Sequence, residues 1–177
     1  MGGQKPHNKK GKTRQFLGLF KYDPDAILSN GNTRLQDAVI HSNTDKVHKL
    51  LEHGADAEYS GTRSAEDRPL SLAIRNYALN AAAALLKNGA DANGTYNGVT
   101  YLSLATSLGS ETLVKTLLSY KADPAGRDLW TESTPLFQAR DLSQSIVPIL
   151  VKAGIDINAR NHKGYTALYT ALVGEQY

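Results

Sequence analysis

Few stretches of this 177-residue chain place reactive residue types at spacings that could do chemistry. Gly11-Lys12-Thr13 has the ending of a phosphate-binding loop, but the earlier glycine of that motif would be residue 6, which is Pro6. No strand-like run precedes it. His7, His41, His48, His53 and His162 form no H-x-x-x-H pair, and the chain has no cysteine. A designed metal site and a disulfide framework are therefore not expected. No G-x-S-x-G turn exists to present a nucleophilic serine. Asp56, Asp91, Asp123 and Asp156 recur, but at a fixed interval, which marks turn residues and not an acid–base pair. Met1-Gly2 has Pro6 where an N-myristoylation signal favours Ser or Thr. Neither a cofactor nor catalysis is expected.

The interval itself is the informative signal. LLEHGADAE at 50–58 returns as LLKNGADAN at 85–93, LLSYKADPA at 117–125 and LVKAGIDIN at 150–158. Its turn position is Gly54, Gly89, Lys121 and Gly154, at spacings of 35, 32 and 33 residues. Between these lies a second string: TRLQDAV at 33–39, RPLSLAI at 68–74, TYLSLAT at 100–106, TPLFQAR at 134–140 and TALYTAL at 166–172. Two landmarks in constant phase define a unit of about 33 residues.

Each unit is legible as two helices. Thr at the start of the second string accepts backbone N–H bonds, and Pro fits the first helical turn. Leu and Ala follow three apart, as Leu35/Ala38, Leu70/Ala73 and Leu102/Ala105, which puts both on one face of a short first helix. V-x-x-L-L (Val47, Leu50, Leu51; Val114, Leu117, Leu118) gives the second helix its apolar stripe. Gly54, Gly89 and Gly154 sit where a helix C-cap requires positive φ, so Lys121 should be mildly strained in that slot. Pro148 inside the second helix of unit four predicts a shifted or tilted helix there.

These motifs resemble the ankyrin repeat, over about residues 31–172. The resemblance implies an all-α solenoid of helix–turn–helix units joined by β-hairpin loops. The expected units are 31–60, 61–95, 96–127, 128–160 and 161–177, the last incomplete. The His that usually follows T-P-L in the family is replaced by Gln36, Ser71, Ser103, Phe137 or Tyr169. Asn93 and Asn158 also sit where ankyrin proteins can be hydroxylated, although a turn role accounts for both.

Charge belongs mainly to one end. Lys5, Lys9, Lys10, Lys12 and Arg14 are accompanied by no acid within residues 1–14, so a formal +3 for the whole chain leaves −2 for the remainder. Residues 1–14 read as a basic disordered tail able to touch anionic surfaces or serve as a nuclear signal. Residues 15–30, with Phe16, Leu17, Phe20, Ile27 and Leu28, read as a cap on the first unit. No apolar run approaches the roughly 20 residues of a membrane span, and the default compartment is the cytoplasm.

In such an array the helices bury each other, and the hairpins with the exposed side of each first helix form the concave face. The hairpins are expected near 58–67, 94–99, 126–133 and 160–165. They carry Tyr59, Arg63, Tyr96, Arg127, Trp130, His162 and Tyr165; Arg75, Ser107, Asp141 and His41 come from the first helices. Tyr, Trp and Arg are the types enriched where binding energy concentrates, and Trp130 is the chain's only tryptophan. The resemblance thus implies a protein-interaction module with no small-molecule substrate and no nucleic-acid partner. Its setting would be a regulatory protein or a bacterial effector working in a host cytosol. Other readings are the targeting portion of a larger enzyme, or an inhibitor that occludes an enzyme's site.

Overall fold

The computed structural model describes residues 23–62, 64, 66–139 and 145–173. Residues 1–22, which include the tail and half of the expected cap, lie outside them, as do Arg63 and Asp141.

Three helical hairpins follow in order: α1 (Arg34–Ile40) with α2 (Thr44–Glu52), α3 (Pro69–Arg75) with α4 (Leu79–Lys87), and α5 (Tyr101–Ser107) with α6 (Glu111–Ser119). The seven-residue first helices pack against one another, α1 on α3 and α3 on α5. The nine-residue second helices form a parallel layer, α2 on α4 and α4 on α6. Leu35, Leu70 and Leu102 with Ala38, Ala73 and Ala105 are buried between the layers, as their spacing predicts. Burial of one such leucine stabilises by about 1.5–3 kcal/mol. The small alanines let backbones approach.

Local chemistry starts and stops these helices. Thr33 Oγ1 accepts from Gln36 N–H at 3.0 Å while Gln36 Oε1 accepts from Thr33 N–H at 2.7 Å, a reciprocal capping box. Thr100 and Ser110 cap α5 and α6 in the same sense. Gly54, Gly89 and Gly154 adopt φ of 89°, 93° and 92°. Around Gly54, the Gly54 N–H reaches Leu51 O and the Ala55 N–H reaches Leu50 O, which satisfies the last carbonyls of α2. Lys121 takes φ 69° in the equivalent place, the strain expected of it.

The fourth unit corrects the sequence reading. Its first helix is a single 3-10 turn, Pro135–Gln138, in place of a seven-residue α-helix. The chain leaves the helical region at Ala139, whose ψ is 81°. The second helix, α7 (Ile146–Lys152), begins two residues later in register than α2, α4 and α6. Pro148 explains the displacement. A helix starting at residue 144 would put Pro148 at its fifth position, where an intrahelical N–H is required. Starting at Ile146 puts it third, among the donors left over at any helix start. The last helix, α8 (Ala167–Val173), packs on the 3-10 turn.

The hairpin expectation is met fully at one junction. Strands β1 (Thr95–Tyr96) and β2 (Val99–Thr100) pair antiparallel, with Tyr96 opposite Val99. Asn97 and Gly98 connect them with φ of 49° and 74°, the double positive φ of the tight turn that an Asn-Gly pair favours. Elsewhere among the described residues the loops are closed by turn bonds or by single bridges, Ile27–Thr33 and Arg160–Thr166.

Candidate partner-binding surface

Successive loops are tied tip to tip. Gly31 O accepts from Thr62 N–H at 3.3 Å, Gly98 O from Leu129 N–H at 2.7 Å, and Thr131 O from His162 N–H at 3.0 Å. Between the loops at 58–67 and 94–99 a side chain supplies the link, with Glu66 Oε2 accepting from Asn97 N–H at 2.8 Å. A second ladder runs along the loop bases. Asp25, Glu58 and Asn93 each accept, through a side-chain oxygen, the backbone N–H of the aspartate one unit on, at Asp56, Asp91 and Asp123. The loops therefore form a continuous, internally bonded edge, which limits how far any side chain on it can wander.

Five of the predicted residues gather on this edge. The guanidinium of Arg75, at the end of α3, lies 4.1 Å from the centroid of the Tyr96 ring and pairs with Asp67 at 3.0 Å. Trp130 donates its indole N–H to Asn97 O at 3.2 Å. A side chain at Gly98 would start 2.6 Å from the indole nitrogen, so the ring rests on that glycine. One edge of the indole is fixed, yet 73 % of the residue remains exposed. Arg127 bridges units by donating to Arg160 O at 2.8 Å and to Glu132 O. His162 Nδ1 lies 2.9 Å from Thr131 O.

Others are placed apart. Tyr59 is exposed at the base of its loop, at the repeat position of Gly94, away from the tip that carries Trp130 in its own unit. Tyr165 is half-buried against Tyr169, with ring centroids 4.6 Å apart. Ser107 turns its hydroxyl back onto Leu104 O, and His41 turns its ring onto Asp37 O. Arg63 and Asp141 lie outside the described residues.

Several residues escaped the sequence reading. Leu129, 67 % exposed beside Trp130, is the second apolar side chain at the tip. An apolar pair in a loop otherwise made of turn residues was the available signal. Asp128 is buried and joins units three and four, accepting from Thr100 N–H at 3.0 Å and facing Gln138 Nε2 at 3.5 Å. Burial pushes its carboxyl above the usual aspartate range, against the hydrogen bonds from Thr100, Ser103 and Gln138 that lower it. Tyr101 is buried with its ring over Gly94, and its hydroxyl has no partner; desolvation pushes it up to about 12.

Among the described residues no cluster of three or more His, Cys, Asp or Glu could hold a metal ion, and no helix is long and apolar enough to cross a membrane. The arrangement can bury apolar area at Trp130 and Leu129 and can offer guanidinium donors beside them.

Comparison with known proteins agrees with this architecture. The chain is 28% identical over 174 residues to the nuclear factor NF-kappa-B p105 subunit of Gallus gallus, covering 93% of this chain and 18% of that protein. It is 28% identical over 170 residues to the B-cell lymphoma 3 protein homolog of Mus musculus, covering 89% of this chain and 37% of the relative. It thus spans well under half the length of either. Residues 58–128 match the family model for ankyrin repeats (3 copies). Together with the phased motifs and the stacked helical hairpins already described, that match makes residues 58–128 ankyrin repeats.

Proposed function

We propose that this array is a regulatory interaction module that holds a partner protein against the loop tips and the adjoining ends of the first helices. The observation that carries the reading is Trp130. Its N–H is satisfied within the protein and one edge rests on Gly98, yet most of the ring faces solvent. An ordered aromatic side chain loses little further entropy on binding and buries a large area, which is how interface anchors behave. Arg75 stacked on Tyr96 and Arg127 bridging two loops extend the same ordered strip. Membership of a repeat family supports the class of function and names no partner. A relative named as a subunit of a nuclear factor, from chicken, supports a regulatory setting in cytoplasm or nucleus over a bacterial effector.

The test is a pull-down in which Trp130→Ala and a Tyr96→Ala/Trp130→Ala pair are compared with the unmodified chain, with thermal melts run in parallel. Partners retained at Trp130→Ala by at least tenfold less material are the expected result. A folded Trp130→Ala variant that keeps every partner at full yield removes the assignment.

A further inference from the structure

The charges along the loop edge are not distributed evenly. In the first two loops the acids are matched inside the protein. Glu58 pairs with Arg68 at 2.9 Å and accepts from Asp91 N–H at 3.0 Å; Glu66 accepts from Asn97 N–H; Asp67 pairs with Arg75. Around the third and fourth loops the cations are arranged differently. Arg127 donates through Nη1 to the carbonyls of Glu132 and Arg160, and Arg160 donates through Nη1 to Gly164 O at 2.6 Å. These partners are main-chain carbonyls, which fix the side chains without neutralising them. Among the described residues neither arginine lies within ion-pair distance of a carboxylate. Lys163 and His162 are exposed on the fourth loop. Glu132 is the exposed carboxylate of the third loop, and the carboxylate of Asp128 is buried toward Thr100.

The apolar pair Leu129–Trp130 stands within this cationic ground. We infer that the third and fourth loops form a docking site for an acidic peptide segment of a protein partner, with an aliphatic or aromatic residue against Leu129–Trp130 and carboxylates toward Arg127 and Arg160. This rests on the interaction-module reading and deepens it. A guanidinium has five N–H donors in a fixed fork, so anchoring one nitrogen on carbonyls still leaves donors for a carboxylate. A partner carboxylate would meet charge held in place, and one apolar side chain would cover the exposed indole. Nucleic acid fits less well. Its binding draws on many phosphate contacts, whereas this ground carries few cations and the body beyond residue 14 is net negative.

Trp130, as the only tryptophan, reports on its own site. The full chain is titrated with three blocked hexapeptides: Glu-Glu-Leu-Phe-Glu-Glu, its all-lysine counterpart Lys-Lys-Leu-Phe-Lys-Lys, and the anchorless Glu-Glu-Ser-Ser-Glu-Glu. The first is expected to shift the emission to the blue and to bind at least tenfold tighter than either other, weakening about fivefold between 0.05 and 0.5 M salt. Leu129→Ser, at an exposed position, is expected to weaken it about threefold or more with an unchanged circular dichroism spectrum. Equal or tighter binding of the lysine peptide overturns the acidic assignment and leaves the module reading standing. So does the absence of any shift while Trp130→Ala still loses its partners in the pull-down. A twelve-residue oligothymidine that shifts the emission where the acidic peptide does not overturns it in favour of nucleic acid. A folded Trp130→Ala variant that keeps every partner in the pull-down removes the underlying reading as well.

Discussion

In the first three units the residue three places after the cap of the first helix is Gln36, Ser71 or Ser103, each polar, buried and hydrogen-bonded. In the fourth it is Phe137, and a single 3-10 turn stands where a helix should be. Gln36 Nε2 donates to Ser60 O at 2.9 Å and to Asp67 O at 2.6 Å, so it crosses from one unit to the next. Ser71 Oγ donates to Glu66 O and Arg68 O, and Ser103 meets Thr100 Oγ1. Phe137 can do none of this, and Thr134 Oγ1 is left buried without a partner. The leucine–alanine pattern recruits a segment to the stack, while in the first three units a buried polar side chain near the cap adds hydrogen bonds that Phe137 cannot make; α8, with Tyr169 in that place, is helical without one.

The sharpest way to break this comparison is to truncate the equivalent leucines. Leu102→Ala, in a fully enclosed site, is expected to cost about 3 kcal/mol. Leu136→Ala, half-buried over the 3-10 turn, should cost about 1 kcal/mol. Urea midpoints at constant slope measure both. Equal losses would mean that unit four is packed as tightly as the others.

The junction between the two regions gives the next effect. Asp128→Ala leaves the Thr100 N–H without its acceptor and should lower stability by about 1–2 kcal/mol, whereas Asp128→Asn keeps an oxygen in place and should cost less. The sign with pH follows from the raised carboxyl. A folded-state value above the unfolded one contributes stability below the unfolded value that is lost as pH rises through the folded value. The difference between the asparagine variant and the native chain should therefore move in the variant's favour as pH climbs from about 4, the unfolded aspartate value, and stay constant below it. A difference that does not change with pH would place the carboxylate in water. The smallest effect is at the third turn: Lys121→Gly should stabilise by about 0.5–1 kcal/mol, by relieving φ 69°. Calorimetry on the two chains reads that gain directly.

The regular part of the fold was legible because a repeat states its rule several times. Val47, Leu50 and Leu51 needed no long-range knowledge to be placed inside, and Gly54 and Gly89 announced their turns. Unit four was not legible to the same degree. Pro148 warned of a displaced helix, but the collapse of Pro135–Gln138 into a 3-10 turn depends on how that segment packs on α5 of unit three, and that is a tertiary matter. The same holds on the loop edge. Trp130 and Arg127 could be assigned to a loop from repeat phase alone. That the indole rests on Gly98, and that Arg127 faces carbonyls and not carboxylates, depends on atoms about 33 residues away.

Leu35, Leu70 and Leu168 occupy the same place in the repeat, and the first two are fully enclosed while Leu168 is 69% exposed. In α8, Leu172 and Val173 are exposed with it. In this chain a helix with so many exposed apolar side chains buries little area, so its opening free energy lies below that of the whole molecule. Unfolding then has a direction. Amide exchange in this chain should begin at α8, where Leu168, Leu172 and Val173 are exposed, and travel through the 3-10 turn toward α5 before the first two units let go.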